Sequence, residues 1–173
     1  MIPMKKAVIA LSCLSILLTG CSSLLNPSIQ NSLKEVRTSK FLKNEDKTKT
    51  IGGIDANSNG VRDDIEGYIN LKYGNNPEFV SVYMQYAKAL RRKLTLASDD
   101  REVYRRESHK VSRQMVCASK IDYELEPEKM YQDTMIIYAL SVNTKQRKAE
   151  SNRISSLVSG MVFTLPTEEH CKN

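Results

Sequence analysis

Phe79, Tyr83, Tyr86, Ala87, Leu90, Leu94 and Ala97 recur at three- and four-residue steps. That spacing lays large apolar side chains along one side of a helix, whereas a strand would need alternation at every second residue. Asn76-Pro77 stands just ahead of the stripe, with Asn suited to cap the helix and Pro to its first turn. The same period continues on both sides. Val61, Ile65, Tyr68 and Ile69 mark an earlier helix that Gly74 can close. Ser98-Asp99-Asp100 opens a third helix, with Tyr104, Val111, Met115 and Ala118 as its buried edge and Cys117 beside the core. Pro127-Glu128 opens a fourth carrying Met130, Tyr131, Met135, Tyr138 and Leu140, and Asn143-Thr144 caps a fifth with Ile154, Leu157, Val158 and Met161. Strand alternation is missing from the sequence. The predicted fold is all-α, a small bundle of about five helices over residues 51–173, with most tyrosines in its core.

The start of the chain has a different character. Lys5 and Lys6 precede an apolar run from Ala7 to Leu18, which is shorter than the ~20 residues a bilayer-spanning helix requires. It reads as a secretory leader over residues 1–20. The junction Leu18-Thr19-Gly20-Cys21 resembles the lipobox of bacterial lipoproteins. That resemblance implies cleavage before Cys21 and acylation of its thiol, so the membrane is the first expected partner. Ser22 after the cysteine implies sorting to an outer membrane, facing the periplasm. Removal of the leader leaves 153 residues, enough for one domain with its own core. Residues 21–50, rich in Ser, Asn, Lys and Thr, suit a flexible lipid-anchored tether, although a short helix around Ile29 to Phe41 fits there too. With Cys13 lost in the leader and Cys21 acylated, Cys117 and Cys171 are left, and two cysteines in an exported chain read as one disulfide.

Residues 55–66, DANSNGVRDDIE, carry acids and amides at every second position around Gly60. They resemble the calcium loop of an EF-hand. On that resemblance the ligands are Asp55, Asn57, Asn59, the Val61 carbonyl, Asp63 through a water, and Glu66. Gly60 falls where the loop turns sharply, and Ile65 anchors the exiting helix. The preceding KNEDKTKTIGGI is too polar for an entering helix, and Arg62 stands where an aliphatic residue is usual. The chain therefore looks like a half hand of the dockerin-like kind, with calcium as a structural cofactor of weak to moderate affinity. An Asn/Gly-rich turn without metal is the alternative.

Motifs for chemistry are few. His109 and His170 form no zinc pair, and Glu107-Ser108-His109 cannot form a triad from adjacent helical positions. The formal charge of +6 falls to +4 once Lys5 and Lys6 leave. Arg105, Arg106, His109, Lys110 and Arg113 cluster on the third helix, suiting an anionic envelope polymer or simply a solvated face. Nucleic acid is not an expected partner of an exported chain. The sequence thus predicts a lipid-anchored, non-enzymatic binding or scaffolding module held by calcium and a disulfide, whose partner could also be another envelope protein. The second reading is a small envelope hydrolase or hydrolase accessory using acids near the loop.

Overall fold

The Phe79 stripe lies on a helix of 19 residues that forms the spine of the domain. In the computed structural model, which describes residues 27–121, 127–162 and 164, six helices follow one another and no strand occurs among the described residues. They are α1 (Pro27–Thr38), α2 (Asp63–Tyr73), α3 (Pro77–Thr95), α4 (Arg101–Ile121), α5 (Pro127–Ser141) and α6 (Lys145–Leu157). No helix among them is long and apolar enough to cross a membrane. The leader and Cys21 lie outside the described residues.

The local signals at α3 act as expected. The Asn76 side chain accepts hydrogen bonds from the backbone N–H groups of Glu78 and Phe79, at 3.1 and 3.3 Å, and Pro77 begins the first turn. Val82, Tyr83, Tyr86, Ala87, Leu90 and Leu94 are buried, and α2, α4, α5 and α6 all pack against this helix. Tyr73, at the end of α2, stacks on Tyr83 at 4.7 Å and meets Phe79 edge-on at 6.0 Å. Thr144 caps α6 by accepting from the Arg147 N–H. Gly74 closes α2 in a right-handed conformation (φ −55°), so it is not needed there for a left-handed turn.

The stretch read as a tether is instead part of the domain from Pro27 onward. α1 buries Ile29, Leu33 and Val36, and Leu42 and Asp46 follow them into the interior. At the C-terminal end of α1, Arg37 pairs with Glu45 at 2.8 Å, and Glu45 accepts from the Asn143 amide just past α5 at 2.9 Å. These contacts bring the C-terminal ends of α1 and α5 together, so the two packed helices run in parallel. α2 runs the opposite way. Arg62, ahead of its start, donates to the Leu140 carbonyl, while Lys72 near its end bonds Asp133 in the second turn of α5.

On α5, Leu140 is buried and Met130 and Tyr138 pack against the core, as expected. On α6, Ile154 is buried with Leu157 and Val158 packed beside it, but each helix also buries residues outside its expected stripe. The interior of α5 is formed by Asp133, Thr134, Ile136, Ile137, Ala139 and Leu140, while Tyr131 is 46% exposed. On α6 the buried residues are Arg147, Ser151 and Ile154. Gly67 sits within α2, and a Cβ there meets nothing within 4 Å. Gly67→Ala is therefore expected to raise stability by about 0.5–1 kcal/mol, through a less flexible unfolded chain. Urea unfolding checks this, and a lower midpoint contradicts it.

Candidate functional site

In the loop between α1 and α2 the chain turns through Ser58 (φ +58°) and Gly60 (φ +91°). The Asp55 carboxylate accepts from the N–H groups of Asn59 and Gly60, each at 3.1 Å, and lies 3.1 Å from Arg91 of α3. Asn57 and Asn59 turn their amide oxygens to the N–H groups of Asn59 and Val61, at 3.0 and 2.8 Å. Their NH₂ groups donate to Glu66 Oε2 at 3.0 and 2.8 Å. Asp63 Oδ1 accepts from the Ala56 N–H at 3.0 Å, and Val61 is buried.

The loop's polar groups are thus engaged by protein partners, the two amides donating to Glu66 and the Arg91 guanidinium pairing with Asp55. Among the described residues no three His, Cys, Asp or Glu side chains gather into a group that could hold a metal. Cys117 is disulfide-bonded, and Cys171, its expected partner, lies outside the described residues. The expectation of a module held by a calcium site is corrected accordingly. The sequence offered suitable ligand types. It could not show an arginine reaching the loop from another helix.

The strongest polar constellation lies elsewhere, around two buried arginines. Arg147 on α6 is fully buried, and all three of its nitrogens are engaged. Nε donates to the carbonyls of Thr50 and Ile51, Nη1 to the Asp46 carbonyl at 2.8 Å and Asn143 Oδ1 at 2.7 Å, and Nη2 to Asp46 Oδ2 at 3.3 Å and Thr48 Oγ1 at 3.1 Å. Beside it Arg62, also buried, donates to the Asp64 carboxylate and the Leu140 carbonyl. Burial and the nearby Arg62 charge lower the pKa of Arg147, and Asp46 opposes that shift. Two arginines and two aspartates thus bind residues 46–51 to α2, α5 and α6. The Gly-Gly pair at 52–53 lets the backbone pass over them, with Gly53 at φ +68°.

Asp46 reports on this junction through pH. Burial alone would raise its pKa, but N–H groups of Thr48 and Ile54, the Thr48 hydroxyl and Arg147 hold it down at about 2, against an ordinary 3.8. The unfolded chain therefore takes up this proton first as pH falls. The stabilisation is present above about pH 4 and lost between pH 4 and 2. It is expected to amount to about 2 kcal/mol. Unfolding free energies at pH 5 and pH 2, in parent and Asp46→Asn, measure it; an equal acid loss in both proteins contradicts the assignment.

An open groove of about 750 Å³ lies between the end of α3, the extended residues 96–100 and α6. Its floor includes Ile51, Leu94 and Leu96, and its rim Asp99, Glu150 and Arg153. Arg153 is fully occupied, donating to Glu150, Asp99, the Ser98 carbonyl and the Tyr104 hydroxyl. Asp63, Asp64 and Glu66, the acids of the hydrolase reading, do not line this groove. Asp64 is buried against Arg62.

On α4, Arg105, Arg106 and Lys110 are exposed, while His109 and Arg113 are half-buried. Acids interlace the face: Arg105 pairs with Glu102, and Glu107 takes both Lys110 and Arg92. No family model, curated protein or solved structure matches the chain.

Proposed function

We propose that the protein is a lipid-anchored protein of the bacterial envelope whose helical domain serves as a binding or scaffolding module. The observation that carries this reading is the Leu18-Thr19-Gly20-Cys21 junction behind a short basic and apolar leader. The polar clusters of the domain support the second half. Arg62, Arg147, Asp46 and Asp64 saturate one another, and Arg153 is consumed by its own neighbours. Such groups fix a surface in place; they are not poised to move protons. A metal ion has no part in this reading. The exposed cations of α4 give the module a surface for an anionic envelope polymer, weakened by the acids among them.

Cys21→Ala is expected to abolish metabolic labelling with palmitate and to move the protein out of the envelope fraction. Normal labelling of the variant would overturn the anchor. For the polymer contact, joint replacement of Arg105, Arg106 and Lys110 by Glu is expected to remove low-salt co-sedimentation with an anionic envelope polysaccharide. Unchanged co-sedimentation would remove α4 from the reading.

A further inference from the structure

Six chain steps separate Cys21 from Pro27, where α1 begins and the domain is already packed. Whatever their conformation, those steps span at most about 20 Å. α3 alone, with 19 residues, is about 28 Å long. An acyl chain on Cys21 would therefore hold one particular end of the bundle close to the bilayer.

The helix directions identify that end. α1 and α5 run in parallel, so Pro27 lies at the end where α5 starts. Lys72 near the end of α2 bonds Asp133, midway along α5, and Tyr73 against Phe79 joins the end of α2 to the start of α3. Of the four large exposed apolar side chains among the described residues, these segments carry Leu71 at 48% and Tyr131 at 46%, while Ile54 at 53% and Val162 at 89% lie elsewhere. Lys129 is exposed beside Tyr131. An aliphatic residue, a tyrosine and a lysine on a short leash match the headgroup layer, which favours amphipathic rings and draws cations to anionic lipids. The opposite end carries loop 55–66, the start of α4 and the groove beside Leu94–Asp99.

We infer that the α2–α5 end of the domain, through Leu71 and Tyr131, rests on the headgroup surface of the bilayer that holds the anchor, turning the groove away from the membrane. This orientation depends on the proposed acylation of Cys21.

The chain contains no tryptophan, so single reporters can be placed without background. Tyr131→Trp, Leu71→Trp and Ala97→Trp all fall at exposed positions, and far-UV circular dichroism verifies their folding. Each lipidated protein is reconstituted into vesicles containing phosphatidylglycerol and a headgroup-nitroxide lipid, and lipid on Cys21 is confirmed by mass. Quenching is expected to be several-fold stronger at 131 and 71 than at 97. Equal or stronger quenching at 97, with lipid present on Cys21, would overturn the orientation and leave the anchor standing. Absence of lipid from Cys21 would remove both.

Discussion

Arg147→Ala is expected to lower the free energy of unfolding by about 3–5 kcal/mol, because it strands a buried charge and several buried carbonyls at once. The side chain is fully enclosed and donates to residues 46, 48, 50, 51 and 143. Without it, Asp46 keeps only neutral donors and the more distant Arg62, 3.9 Å away, while the carbonyls of Thr50 and Ile51 lose the guanidinium that pairs with them. Arg147→Lys keeps a charge but cannot divide it among carbonyls on two sides, so most of the loss is expected there too. Urea unfolding followed by circular dichroism measures both. A midpoint within error of the parent would mean that the buried pair does not hold residues 46–51 in place.

Gly53→Ala is expected to cost about 2–4 kcal/mol, from the left-handed backbone and from overpacking combined. An added Cβ would lie under 3.0 Å from two carbons of Arg62 and from Asp46 Oδ2. The clash falls on the buried network itself, so neither partner can swing into solvent. Gly67→Ala, with open space around its Cβ, changes the same atom in the opposite direction. If Gly53→Ala and Gly67→Ala moved the unfolding midpoint alike, the close approach at 53 would not govern stability.

These two effects also mark where the sequence ceased to be legible. α3 could be read because its stripe, its Asn76 cap and Pro77 all point to one helix. The composition around α1 suits a tether as well as a short helix, because its apolar residues are few among Ser, Asn and Lys; three of them, Ile29, Leu33 and Val36, suffice once α5 receives them. Arg147 lies in the polar run KQRKAESNRISSL, where nothing separates the one buried cation from its solvated neighbours. Arg62 stood out as unusual for its loop position, and the structure gives the reason: it turns inward onto Asp64. The ligand pattern of loop 55–66 was legible as composition. Its use was not, because Arg91 approaches from α3 and the amides turn their donors toward Glu66. Tyr131 resembled a core residue by spacing, yet it stands exposed at the end of the bundle nearest Pro27.

Anchoring at Cys21 is the premise on which both the envelope location and the orientation of the domain rest. The most direct measurement is the intact mass of protein extracted from the envelope, with fragmentation of its N-terminal peptide. A chain that begins at Cys21 and carries diacylglyceryl and acyl groups on that residue is the predicted result. A chain that retains the leader, or starts at Cys21 with an unmodified thiol, would contradict it.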